Sequence, residues 1–104
     1  MSELILILTT MPDDERADEL ASTLVEEKLA ACVNVHAPMM STYRWKGAVE
    51  RDTERQIVIK TTPQRRDAVE ARLRTLHPYE LPELLVIDAG SSEAYGRWVI
   101  ESSG

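Results

Sequence analysis

Residues Leu29 to Thr62 constrain the fold more than any other stretch of the chain. They read LAACVNVHAPMMSTYRWKGAVERDTERQIVIKTT, two strand-like segments on either side of one turn centred on Gly47. The first segment, Ala31 to Trp45, is far longer than an ordinary strand of about five or six residues. Extended at roughly 3.3 Å per residue it reaches on the order of 45 Å, more than a domain of this size needs to cover its own core. The ribbon is therefore expected to outgrow its own domain and to be completed by other subunits.

The remaining periodicities place the ribbon in a chain of 104 residues, one domain's worth, read as a single domain over 1–104. Leu4 to Thr9 is a continuous apolar run, the pattern of a central strand. Met11-Pro12-Asp13-Asp14 breaks it, with Pro12 suited to the first turn of a helix and the acids suited to the positive end of its dipole. Ala17, Leu20, Ala21, Leu24 and Leu29 then recur at helical spacing, giving an amphipathic helix over about Asp13 to Leu29. In the ribbon, Val33, Val35 and Ala37 alternate with Cys32, Asn34 and His36, a period of two. Pro38 has no N–H for a ladder and marks an edge position, a bulge or a bend. Lys46-Gly47-Ala48 makes the turn, Glu50-Arg51-Asp52 flank it, and the alternation over Arg55 to Thr61 forms the return strand.

Thr62-Pro63 reads as an N-cap followed by a proline at the first helical position, with Ala68, Val69, Leu73 and Leu76 on the apolar face. His77-Pro78 stops this helix, because a residue before proline is pushed out of the α region. Leu84 to Ile87 is a fourth apolar strand, and Ser92 opens a short terminal helix ending near Glu101. The order β-α-β-β-α-β plus a terminal helix is an α+β, ferredoxin-like pattern: a four-stranded antiparallel sheet with two helices on one face.

Composition excludes several classes of function. The net charge is −6 and the densest basic run, Arg65-Arg66 with Arg72 and Arg74, is interleaved with Asp67 and Glu70, a solvated helix face and no nucleic-acid surface. The single cysteine, Cys32, allows no internal disulfide. The N-terminal apolar run is too short for a bilayer and lacks a basic leader, so no membrane partner is expected and the cytoplasm is the expected location. No Ser/His/Asp set, P-loop or GxGxxG occurs. Nothing in the sequence spells a hydrolase, kinase or oxidoreductase.

Four features can carry binding chemistry. His77 ends a helix with Tyr79, Glu80 and Glu83 close behind, so it can ligate a metal or move a proton, or simply favour the helix dipole. Cys32 and His36, four apart in an extended strand, would share a face and could take Cu(I) or Zn(II), although a strand cysteine also packs as a small hydrophobe. Glu50, Asp52 and Glu54 alternate onto one face, where they can hold a cation, protect an edge, or pair with arginines of a neighbour. Tyr43, Trp45 and Lys46 cluster at the ribbon tip, and Lys60 lies mid-strand among apolar neighbours, where it needs an anionic partner or ligand.

With these residues in view the chain resembles the CutA family, the divalent cation tolerance proteins. The resemblance rests on Lys28-Leu29-Ala30-Ala31-Cys32-Val33-Asn34, on Ser41-x-Tyr43-x-Trp45-x-Gly47, on Lys60-Thr61 and on His77-Pro78-Tyr79-Glu80-x-Pro82-Glu83. It implies a tight homotrimer built by the long ribbons, similar in architecture to PII signalling proteins, and a link to tolerance of copper and other divalent cations. It also implies copper held by histidine and cysteine side chains, with His77 at the motif histidine. In some members a second histidine precedes that one and a cysteine lies on the first strand; this chain has Leu76 and Thr9 there. The expected metal ligands are His77, then Cys32, then Glu80. An alternative PII-like module would hold a small anionic metabolite between subunits, with Tyr43, Trp45 and Lys60 lining the site beside His77. A third reading is a trimeric scaffold for a protein partner.

Overall fold

A computed structural model of the chain describes residues 2–104. The elements run β1 (Ser2–Pro12), α1 (Glu15–Glu26), β2 (Cys32–Trp45), β3 (Ala48–Thr61), a 3₁₀ turn (Pro63–Arg65), α2 (Arg66–Leu76), β4 (Leu85–Gly90) and α3 (Glu93–Ser102). The four strands form one antiparallel sheet in the order β2-β3-β1-β4. This is the α+β order read from the sequence.

Several boundaries differ from the sequence reading, each for a local reason. Pro12 does not open α1; it ends β1 opposite Glu54. The helix starts after Asp14, whose carboxylate accepts the Arg16 backbone N–H at 3.0 Å and so satisfies one of the free donors of the first turn. The helix stops at Glu26, short of Leu29, because Lys28 turns left-handed (φ 59°). The N–H groups of Glu27 and Lys28 then close onto Thr23 and Val25. Thr62 precedes the 3₁₀ turn and makes no side-chain cap, so α2 proper begins at Arg66.

The core lies between the sheet and the two helices α1 and α2. Register puts Ile5, Ile7, Thr9 and Met11 of β1 on the same face as Ile57 and Ile59 of β3 and Val33 and Val35 of β2. Onto these pack Ala17, Leu20 and Leu24 from α1 and Val69 and Leu73 from α2. Alternation sends Leu6 and Leu8 of β1, Val58 of β3, and Leu85 and Ile87 of β4 to the opposite face. α3 covers one end of that face through Val99, Leu4, Ala31 and Ala89. The rest is open, leaving Leu85 53% and Ile87 46% exposed.

β2 and β3 are each 14 residues long. β1 reaches only as far as Glu54 of β3, so Met40 to Thr53 project past the sheet as a two-stranded ribbon. The ribbon stretches the molecule to 45 × 26 × 24 Å, and its radius of gyration of 14.2 Å exceeds the ~13 Å of a compact chain of this length. The tip is the two-residue turn Lys46-Gly47, both with positive φ (49° and 82°), the turn whose twist matches that of paired strands. Ala48 and the residues expected to flank the turn, Glu50, Arg51 and Asp52, are therefore part of the return strand itself. Pro38 lies at a register shift between Val35 and Pro38, where the Arg55 guanidinium donates to the His36 carbonyl at 2.8 Å.

Candidate functional site

α2 ends at His77, whose extended backbone (ψ 130°) is what a residue before Pro78 adopts. The chain from Pro78 to Leu84 then runs alongside β1 beyond the reach of β4, which pairs with β1 only up to Leu8. Carbonyls on that bare edge need donors. His77 Nε2 lies 2.7 Å from the Thr10 carbonyl and 3.2 Å from Thr9 Oγ1, and Gln56 Nε2 donates to the Thr9 carbonyl at 2.8 Å. Nδ1 of His77 accepts the Tyr79 backbone N–H at 3.2 Å. These contacts assign a neutral ring with its proton on Nε2. Partial burial holds its pKa below the ordinary histidine value, outweighing the Thr10 carbonyl and Glu54, which act the other way.

Tyr79 packs on His77 with ring centroids 4.8 Å apart, and its hydroxyl donates to Glu54 Oε2 at 2.6 Å. Burial, and then this bond to a carboxylate, push the Tyr79 phenol up. Glu83 accepts from Gln56 at 2.8 Å. The Pro78–Leu84 segment is thus strapped to β1 and β3 by three side chains, His77, Tyr79 and Glu83, whose partners lie 25 or more residues away in the chain.

Between this strap and the inner face of the ribbon lies an open cleft of about 1190 Å³. One wall is Tyr43, Trp45, Asp52 and Glu54; the other is Tyr79, Glu80 and Glu83. The Tyr43 hydroxyl donates to Asp52, and that bond raises the phenol to about 12. The Lys46 ammonium sits 5.6 Å from the centre of the Trp45 ring.

The expected ligands do not come together in one subunit. Cys32 pairs with Lys60, which pairs with Leu6, at the far end of the sheet from Thr10. The four-residue offset along β1 alone is about 13 Å. Among the described residues no three His, Cys, Asp or Glu side chains are placed to share a metal ion. The His36 partner of Cys32 falls in the bulge, where the alternation that would align them is broken. Lys60 is likewise separate from Tyr43 and Trp45: it lines a smaller depression of about 380 Å³ with Leu6, Ser91, Ser92 and Tyr95. Two residues of the strap, Tyr79 and Glu83, were not in the expected ligand set, although both stand in the His77–Glu83 motif. Their partners, Glu54 and Gln56, carry no local signal of that role.

The chain matches known proteins along its whole length. A family model described as CutA1 divalent ion tolerance protein matches residues 5–102. The divalent-cation tolerance protein CutA of Thermus thermophilus is 40% identical over 105 residues, all of both chains. The CutA structure from Synechococcus elongatus superposes with a TM-score of 0.94 at 44% identity, covering 100% of this chain and 93% of that one. CutA from Xylella fastidiosa gives 0.95 at 38% identity over 99% and 100%. The chain therefore belongs to the CutA1 divalent ion tolerance family.

Proposed function

We propose that this protein is a cytoplasmic homotrimer that takes part in the response to divalent metal ions, copper foremost, by binding and not by catalysis. The observation that carries the assembly is the pairing of an overlong ribbon with an open apolar sheet face. Met40 to Thr53 have no third strand among the described residues, and Leu6, Leu8, Val58, Leu85 and Ile87 form an apolar surface that the two core helices leave bare. Apolar area of this kind is stabilised by covering it, at about 25 cal/mol per Å². A second copy supplies both a matching face and an edge for the ribbon.

The cation reading is supported by family membership and by charge: each subunit carries −6, which draws cations to clefts between subunits. The described residues of one subunit do not by themselves make a copper site. His77 offers copper Nδ1 once the 3.2 Å bond from Tyr79 N–H is given up. Glu80 is the exposed carboxylate on the same strap. Thr9, beside His77, offers a hydroxyl and no thiolate. Further donors, Cys32 among them, have to come from a neighbouring subunit. Calorimetric copper titration of the wild type and His77→Ala tests this; equal affinity in both eliminates His77 as a ligand.

A second reading, a PII-like module for a small anionic metabolite, is favoured by one observation. Lys60 is half-buried on the open face and forms no ion pair among the described residues. A nucleotide that raises the melting temperature of the wild type but not of Lys60→Met supports it. The absence of any such shift across a metabolite screen removes it.

A further inference from the structure

The two faces of the ribbon carry opposite charge. Side chains of β3 alternate across the sheet, so Glu50, Asp52 and Glu54 fall on one face and Val49, Arg51 and Thr53 on the other. From β2, Tyr43 and Trp45 join the acids, while Met40, Thr42 and Arg44 join Arg51. The acidic face is continuous with the open apolar sheet face, because Val58 stands on the same side of β3. Asp52 and Glu54 also line the cleft beside the Pro78–Leu84 strap, whose far wall carries Glu80 and Glu83. The basic face is bare among the described residues. Met40 is 65% exposed and Val49 61%, and neither Arg44 nor Arg51 makes an ion pair among those residues.

Both faces are unfavourable as they stand. Arg44 and Arg51 are diagonal neighbours across the two strands, about 7–8 Å apart, and their like charges repel. Successive acids of the row stand about 6.8 Å apart along one strand and repel in the same way. A two-stranded ribbon is marginal in water even without such repulsion. Arginine and methionine are residues that protein interfaces enrich. Guanidinium groups pair with carboxylates through two parallel bonds and stack on aromatic rings, and the acidic face offers both.

The placement of the charges also fixes the kind of contact. Acid against acid and base against base repel, so only the basic face of one copy against the acidic face of another is attractive. The two faces lie on opposite sides of one ribbon. A single two-fold partner cannot satisfy both, whereas two different neighbours can. That is a head-to-tail contact, the kind that closes into a ring.

We propose that the basic face of one subunit's ribbon, Arg44 and Arg51 with Met40 and Val49, seats on the acidic face of the next subunit, Glu50, Asp52 and Glu54, and that this pairing of faces sets the cyclic symmetry of the assembly. The pairing rests on the homotrimer proposed above and names the surfaces that join it.

Reversing the charge of whole faces tests it whatever the register between subunits. One variant of the full-length protein carries Arg44→Glu and Arg51→Glu, a second carries Glu50→Arg and Asp52→Arg, and a third carries all four. All four sites are exposed. Tyr43 is 40% exposed, so water replaces the Asp52 acceptor that it loses. Light scattering at micromolar concentration gives the mass of each protein. Thermal melts followed by circular dichroism give its stability, which in an obligate oligomer falls with assembly. Each two-residue reversal is expected to lose the trimer mass or to melt at least about 10 °C below the wild type. The four-residue exchange makes the faces complementary again and is expected to regain the trimer and at least half of the lost melting temperature. Two-residue variants that stay trimeric and melt with the wild type overturn the pairing and leave the trimer standing. A four-residue variant no better assembled than the two-residue ones, folded or unfolded, overturns it as well. A monomeric wild type removes the trimer and the pairing together.

Discussion

Tyr79→Phe isolates one bond of the strap. The substitution keeps the ring that packs 4.8 Å from His77 and removes only the hydroxyl that donates at 2.6 Å to Glu54. Glu54 is 8% exposed, so water does not freely replace the lost donor. A hydrogen bond to a charged, largely buried acceptor contributes about 1.5–3 kcal/mol. For a chain of this size such a loss lowers the melting temperature by on the order of 10 °C. Urea denaturation and thermal melts of the two proteins measure it. The same substitution made on a Glu54→Gln background removes a bond to a neutral acceptor, worth about 1 kcal/mol, so the cycle should show a coupling of about 0.5–2 kcal/mol. A Tyr79→Phe protein within about 0.5 kcal/mol of the wild type, the range of ordinary surface changes, refutes the claim that the strap is held by a buried carboxylate.

Other perturbations follow from single residues. Ile87→Asp puts a charge on the open sheet face; it should dissociate the proposed trimer, while Val25→Asp, at a similarly exposed site (42%) on α1, should leave its mass unchanged. Gly47→Ala meets no atom within 4 Å but must hold φ +82°, so it should cost about 1–2 kcal/mol in urea melts without altering the far-ultraviolet spectrum. His77 is held below its ordinary pKa of 6.5, so its contribution is complete above pH 6.5 and lost as pH falls through the lower folded value. Stability measured from pH 7 down to pH 5 should fall in the wild type, and less steeply in His77→Gln. Tyr43, raised to about 12, contributes stability present below pH 10 and lost as pH rises toward that value; ultraviolet titration should show one phenol fewer ionising late in Tyr43→Phe.

The elements of this fold are legible wherever one face is buried, because burial writes a period into the sequence. Leu4 to Leu8, the Ala17–Leu24 stripe and Val69–Leu73 are of this kind. The outer half of β3 is not. Val49 to Thr53 are exposed on both faces, so their strand state comes from pairing with Met40 to Arg44 and leaves no apolar alternation. The end of β1 is hidden for a related reason: Pro12 is compatible with a helix start, and only the pairing with Glu54 makes it a strand end. Pro38 announced an irregularity, and the fold resolved it as a bulge beside an edge position.

The candidate site was legible as a set of residue types but not as a geometry. His77, Tyr43 and Trp45 stand out locally. That His77 answers a carbonyl 67 residues away, and that Tyr79 answers Glu54 across 25, are consequences of topology that no spacing encodes. The same topology separates Cys32 and Lys60 from the residues with which they were grouped.

The central claim is that the ribbon and the open sheet face exist to join three subunits. The mass of the protein in solution, by light scattering or sedimentation equilibrium at micromolar concentration, tests it most directly. The account predicts three times the chain mass of 11.7 kDa, with no folded monomer on dilution. A stable, folded species at 11.7 kDa contradicts it.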